Sequence, residues 1–259
     1  MTLIKSISGI RGTIGGVSGE GLTPIDITRF ISAYGKWVKH QCGKPKPLVV
    51  LGRDARISGE MVTKIALGTL QGMGIDVLHL GLSTTPTVEV AVTAENADGG
   101  IILTASHNPR NWNALKLLNA KGEFISADDG TEILKLAETD DYDYAEVDAL
   151  GVIKEDSTYI EKHIEMILNL SLVDRDIIAQ QNYTVAVDCV NSTGGISVPP
   201  LLKALGVSNV VELYAEPTGE FPHNPEPLAE NLTELSTKIV EANADLGFAV
   251  DPDVDRLAI

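Results

Sequence analysis

Short apolar runs bounded by glycine or polar residues alternate along this chain with longer stretches whose apolar residues recur at helical spacing. Leu48–Leu51 stops at Gly52, Ile75–Leu80 stops at Gly81, and Ile101–Leu103 follows a glycine pair. Thr184–Val187 and Val210–Leu213 read the same way. Runs of this kind suit strands buried on both faces of a parallel sheet. Between them, Thr23-Pro24 offers an N-cap and a first turn, and Ile27, Phe30, Ile31, Tyr34 and Val38 fall at helical spacing. Met61, Ile65, Leu67 and Leu70 predict a second helix closed by Gly72 and Gly74. Ile133, Leu134 and Leu136 mark a third, and Leu201, Leu202 and Leu205, stopped by Gly206, a fourth. Such alternation implies an α/β layered fold with right-handed crossovers.

An internal echo points to two similar units. Ala97-Asp98-Gly99-Gly100 leads into one apolar run, and Ala244-Asp245-Leu246-Gly247 leads into another. The acidic segment from Asp140 to Asp148 is the expected junction, which gives domains 1–150 and 151–259. Arg256-Leu257-Ala258-Ile259 reads as the opening of a further strand, so the chain is expected to be part of a longer protein.

Charge narrows the partners. Among 259 residues, 20 are Lys or Arg and 36 are Asp or Glu, a formal net charge of −16. That balance repels nucleic acid and anionic membrane surfaces, while leaving room for a local basic pocket. Cys42 and Cys189 make neither a disulfide framework nor a zinc set, which fits a reducing compartment. With no apolar leader at Met1–Gly9 and no run approaching a membrane span, a soluble cytoplasmic protein is expected.

Two loops carry candidate chemistry. Thr104-Ala105-Ser106-His107-Asn108-Pro109 directly follows the Ile101–Leu103 run, and ligands of open α/β sheets bind beyond strand carboxyl ends. Ser106, with small neighbours, suits a nucleophile or phosphate carrier. The same residues also suit a plain polar loop, with Ser and Asn in turn hydrogen bonds and Pro109 fixing the exit. A serine-hydrolase reading is weaker: there is no G-x-S-x-G elbow, and adjacent Ser and His rarely face each other.

Asp251-Pro252-Asp253-Val254-Asp255-Arg256 occupies the equivalent place in the second half. Pro252 excludes a helix interior, and in an extended loop aspartates at period two can converge on one side. Two unit charges about 4 Å apart repel by roughly 4 kcal/mol at an effective dielectric of about 20, so three need a cation. Oxygen-only ligands point to Mg²⁺. An EF-hand fails, because Arg256 stands where Gly is required and no closing Glu follows. Three solvated aspartates in a surface loop are the alternative.

Cations near glycine turns matter in so acidic a chain. Arg11 lies in Ser8-Gly9-Ile10-Arg11-Gly12, which reads as a flexible turn with amides suited to phosphate. Lys116 follows the serine loop closely enough to reach the same site. Arg53 and Arg56 flank Asp54 after another strand end and, taken singly, read as solvated surface cations. His107 is open between a loop hydrogen bond and a functional role. Trp37, Trp112 and the other aromatics are too scattered for a stacking platform.

Taken together, the Thr104–Pro109 and Asp251–Arg256 motifs closely resemble the alpha-D-phosphohexomutases: phosphoglucomutase, phosphomannomutase and phosphoglucosamine mutase. The Ser8–Gly12 and Lys116 segments match in the same order, so the resemblance spans the whole chain. It implies an intact enzyme of four domains. The first two are present here as tandem α/β/α domains with mixed, mainly parallel sheets, the second incomplete. It further implies an isomerase that interconverts hexose 1-phosphate and 6-phosphate through a phosphoserine at Ser106 and a hexose 1,6-bisphosphate. Ser106, Asp251, Asp253 and Asp255 would hold Mg²⁺. Arg11, His107, Lys116 and Arg256 would handle phosphate and protons, with Lys116 or His107 as base. This portion alone is expected to be inactive or nearly so. Ala114 departs from the family's common Asn-Gly-x-Lys pattern and, with Trp112, resembles some phosphoglucosamine mutases. The rivals are a Mg²⁺-dependent phosphatase with a nucleophilic Asp in the 251–255 loop, and a sugar-phosphate or Mg²⁺ binding module.

Overall fold

The structure, a computed structural model, describes residues 1–6 and 9–259. In chain order the elements are β1 (Leu3–Ser6), β2 (Gly9–Thr13), α1 (Pro24–Cys42), β3 (Leu48–Arg53), α2 (Gly59–Gly72), β4 (Asp76–Leu82), α3 (Thr85–Ala94), β5 (Gly99–Leu103), β6 (Trp112–Leu118) and α4 (Ala127–Thr139). They continue as β7 (Ile153–Glu155), α5 (Tyr159–Leu168), α6 (Arg175–Gln180), β8 (Thr184–Asp188), α7 (Gly194–Leu205), β9 (Asn209–Leu213), α8 (Thr233–Glu241), β10 (Leu246–Val250) and β11 (Leu257–Ala258).

Local signals start and stop these elements. The side chain of Thr23 accepts from the Asp26 amide while Asp26 accepts back from the Thr23 amide, and Pro24 opens α1. Gly43, at φ +62°, closes it. Ile27, Ile31, Tyr34 and Val38 face the core from α1, as the spacing predicts. In α2 the buried face is Val62, Ala66 and Leu70, with Met61, Ile65 and Leu67 only partly covered. The expected stripe was therefore rotated, because Ala66 counts for little in hydropathy yet lets the helix approach the sheet.

The chain builds two sheets, ordered β1-β2-β6-β5-β3-β4-β7 and β11-β10-β8-β9. Strands β5, β3, β4 and β7 run parallel, whereas β6, β2 and β1 add antiparallel pairs at one side. In the smaller sheet β10, β8 and β9 are parallel and β11 is antiparallel. Helices α1, α2 and α4 cover one face of the large sheet, and α3 with Tyr159 of α5 covers the other. In the second unit α6 and α7 pack on one face and α8 on the other.

The internal echo is structural. The order β6-β5-β3-β4 repeats as β11-β10-β8-β9 with the same strand directions. The shared aspartate does the same work twice. Asp98 accepts from the Leu48 amide and Asp245 from the Thr184 amide, each pinning the start of the neighbouring strand. The serine loop after β5 and the aspartate loop after β10 are thus equivalent positions in two copies of one topology.

Two differences from the sequence reading have physical causes. Gly9–Thr13 is a strand, not a flexible turn, because pairing with β1 and β6 on its two sides outweighs the glycine content; Ser8 lies outside the described residues. Strand β9 is an edge, with Asn209 and Glu212 exposed rather than buried on both faces. Strand β7 follows residue 150 and still pairs with β4 of the large sheet. Among the described residues no helix is long and apolar enough to cross a membrane.

Candidate active site

Ser106 stands beyond the carboxyl end of β5, in the loop that returns the chain to its antiparallel neighbour β6. It is nearly buried and holds φ at +50°, a region few non-glycine residues occupy and one that clusters at functional sites. Its amide donates to Thr104 Oγ1 at 2.9 Å, and Thr104 Oγ1 donates to the buried Asp54 at 2.7 Å. The hydroxyl thereby points across to the second unit. Ser106 Oγ donates to Asp251 Oδ2 at 2.6 Å. His107 Nδ1 is 3.4 Å from the same oxygen, so these sequence neighbours do approach, contrary to expectation. The left-handed backbone at Ser106 turns the two side chains to one side.

Asp251, Asp253 and Asp255 each bring a carboxylate oxygen within 4.8 Å of the others. Convergence comes from a turn, not from extended alternation: Val254 sits at φ +63° and folds Asp255 back. Asp251 and Asp253 are fully buried and Asp255 is exposed. Thr85, at the start of α3, fixes the loop from the first unit. Its hydroxyl donates to Asp253 Oδ2 at 2.5 Å, and its amide donates to the Asp253 carbonyl at 2.8 Å.

Lys116, on β6, places Nζ 2.7 Å from Asp253 Oδ2 and 2.8 Å from Asp255 Oδ2. Burial opposes its charge, but the two carboxylates win and hold it protonated above the usual lysine range. Burial likewise opposes ionisation of Asp253, yet the Lys116 ammonium and the hydrogen bonds keep its pKa below normal. Asp251 lacks that help, and burial with the charges of Asp253 and Asp255 pushes it up to about 8. Burial, then the cation of Arg256, pushes His107 below its ordinary value, with Arg11 adding to the effect.

The donor set suits a hard divalent cation. Buried Asp253 Oδ1 has no hydrogen-bond partner among the described residues, and the three side chains offer oxygen alone. Beside them a cavity of about 180 Å³ is lined by Gly9, Arg11, Ser106, Lys116, Phe124 and Asp255, among others. Arg256 ends the aspartate loop. Its amide donates to Asp251 Oδ1 at 3.1 Å and its guanidinium pairs with Glu226 at 3.3 Å.

Ser106, His107, Lys116, Asp251, Asp253 and Asp255 therefore meet, with Arg11 on the same cavity. While it bridges two carboxylates, Lys116 has no lone pair to accept a proton. One expectation is corrected: Arg56 is no solvated cation, its side chain being 0% exposed and paired with Asp54 at 3.0 Å. Nothing local marks Thr85, whose partner Asp253 lies far along the chain, or Phe124, whose ring lies near Lys116 Nζ.

Residues 3–143 match the family model for phosphoglucomutase/phosphomannomutase alpha/beta/alpha domain I, and residues 159–259 match the model for domain II. A phosphoglucomutase/phosphomannomutase of Thermococcus kodakarensis is 37% identical over 95% of this chain and 53% of its own length. A "probable phosphoglucosamine mutase" of Methanosphaera stadtmanae is 35% identical over 98% of this chain and 55% of its own. The crystal structure of a phosphoglucomutase/phosphomannomutase family protein from Burkholderia thailandensis superposes with a TM-score of 0.82. It is 28% identical, over 98% of this chain and 53% of that one. The chain spans about half the length of the curated relatives it matches.

Proposed function

The chain belongs to the phosphoglucomutase/phosphomannomutase family, and from that premise we propose that it carries the phosphoserine and metal site of a phosphohexomutase, with Ser106 as the phosphoryl acceptor. The observation that carries the reading is Ser106 Oγ, held 2.6 Å from Asp251 Oδ2 across the two units and open to a cavity lined by cations. The proposed reaction interconverts hexose 1-phosphate and 6-phosphate through a hexose 1,6-bisphosphate.

As Ser106 Oγ bonds to phosphorus, the bond from phosphorus to the sugar oxygen breaks. The Ser106 proton passes to Asp251 Oδ2, the carboxylate oxygen 2.6 Å away that already accepts its hydrogen bond, and the departing sugar oxygen takes a proton from protonated His107. In the return direction the sugar hydroxyl needs a base. His107 is kept neutral by its lowered pKa and lies beside Ser106 Oγ, so it serves better than the ion-paired Lys116. Lys116 and Arg11 offer fixed positive charge to phosphoryl oxygens, where charge stabilisation does most in phosphoryl transfer. Magnesium held by Asp251, Asp253 and Asp255 would neutralise phosphoryl charge and make phosphorus more electrophilic. Drug-sized ligands take pockets of about 300–1,000 Å³, so the smaller cavity suits the reacting phosphoryl end rather than a whole sugar bisphosphate.

An aspartyl-phosphate mechanism is disfavoured because Asp251 is engaged by Ser106 and Asp253 by Thr85 and Lys116. Glucosamine phosphate is the second substrate reading, supported by Ala114 on the cavity wall. Free thiols at Cys42 and Cys189 accord with a reducing compartment such as the cytoplasm. The test is incubation with ³²P-labelled glucose 1,6-bisphosphate and Mg²⁺, followed by phosphopeptide mapping. Acid-stable label on the Ser106 peptide, absent from Ser106→Ala, is expected. Label on the 251–255 peptide, or equal labelling of Ser106→Ala, would refute the assignment.

A further inference from the structure

We propose that Arg56 is the positioning residue that sets Ser106 against Asp251, a role that rests on the reading of Ser106 as phosphoryl acceptor. A guanidinium has five N–H donors in a rigid fork, and here each has a partner. Nε donates to Asp54 Oδ2 at 3.0 Å. Nη1 donates to the carbonyls of Pro109 at 2.8 Å and Trp112 at 3.2 Å. Nη2 donates to the carbonyls of Asn108 at 2.7 Å and of Ser106 itself.

Three carbonyls of the serine loop and that of Trp112, at the start of β6, therefore turn onto one buried cation. A carbonyl held at Ser106 restrains the peptide plane that follows it. The Thr104 hydroxyl restrains the plane that precedes it, by accepting the Ser106 amide and donating to the same Asp54. Asp54 and Arg56 thus grip Ser106 from both sides, and the residue stays at φ +50° with Oγ aimed out of the loop.

The same short segment reaches the second unit. The amide of Ala55, between them, donates to Ser192 Oγ at 3.3 Å, and Ser192 Oγ donates to the Pro252 carbonyl of the aspartate loop at 2.7 Å. The ring of Phe221 lies 5.1 Å from the guanidinium carbon. One buried cluster therefore registers the serine loop and the aspartate loop against each other.

The test is Arg56→Lys in the whole chain, followed by hydrogen exchange of the unphosphorylated protein and by single-turnover labelling from hexose 1,6-bisphosphate. Lysine keeps the charge beside Asp54 but has three donors and no fork. Amides of residues 106–112 should exchange about 10- to 100-fold faster, with β3 and β8 protection unchanged. Labelling of Ser106 should slow by about 100-fold, with the bisphosphate concentration for half-maximal rate unaltered. Unchanged exchange in the loop, or loss spread evenly over the sheets, would overturn the proposal. Should Arg56→Lys not fold, Asp54→Asn loosens the same grip and is read by the same exchange pattern. If the native chain takes no label at Ser106, the phosphoryl-acceptor reading fails, while the exchange data still decide what Arg56 positions.

Discussion

Lys116→Met removes the ammonium that bridges Asp253 and Asp255 while keeping most of the side-chain volume. Both contacts are short, 2.7 and 2.8 Å, and the Asp253 side chain is 0% exposed where that of Lys116 is 15%. Breaking a buried pair from one side costs about 3–5 kcal/mol, because the remaining charge is stranded. The Asp255 contact adds little, since that side chain is partly solvated. A loss of about 3 kcal/mol near pH 8 is expected, which for a chain of this size lowers Tm by roughly 6–12 °C. The sign with pH follows from the carboxylates. In the native protein the depressed Asp253 pKa contributes stability above the ordinary carboxylate range, lost only as pH falls through its folded value. In the variant, three crowded carboxylates lack compensation, so the deficit grows as pH rises and shrinks as protonation relieves them. Millimolar Mg²⁺ should recover part of the loss in the variant, by about 2.7 kcal/mol at a hundredfold excess over its Kd. Thermal melts of both proteins at about pH 5.5 and about pH 8, with EDTA or MgCl₂, supply the check. A deficit that is independent of pH and indifferent to Mg²⁺ would mean that only stem packing was lost, and the electrostatic account would fail.

His223 donates to the buried Asp188 at 2.9 Å, and that hydrogen bond raises its pKa against the opposing effect of burial. A raised histidine stabilises the fold below its ordinary pKa and loses that contribution as pH rises through the folded value. The Tm gap between native protein and His223→Gln should therefore be widest in mild acid and close toward alkaline pH; a gap that widens instead would contradict the pairing. Burial pushes the Cys189 thiol up to about 12, whereas Cys42 is only partly covered. One thiol per native chain should therefore react with a thiol reagent near neutral pH and the second only on unfolding, and two fast thiols would show that the second core opens readily.

Much of the scaffold was legible because its signals are local. The apolar runs that became β3, β4, β5, β8 and β10 are closed by glycines or polar loops, and an isolated strand of that sort has few other places to go. The Ala-Asp-x-Gly echo was legible for a second local reason: its aspartate caps the start of an adjacent strand in both units. The serine and aspartate loops could be picked out because loops beyond parallel strands are where such sheets present chemistry.

Tertiary structure decided the rest, wherever a residue's state depends on partners far along the chain. Arg11 sits among glycines and reads as a turn, yet strands on both sides recruit its backbone into the sheet. Arg56 looks like a surface cation until the fold brings four carbonyls from some fifty residues away onto its guanidinium. Lys116 carries the formula of a base, but aspartates 137 and 139 positions later keep it charged. Sequence alone assigned candidate chemistry to Ser106, Lys116 and the three aspartates. Their protonation and aim came from the low-dielectric interface between the two units, where a carboxylate 2.6 Å from a hydroxyl is a different group from a carboxylate in water.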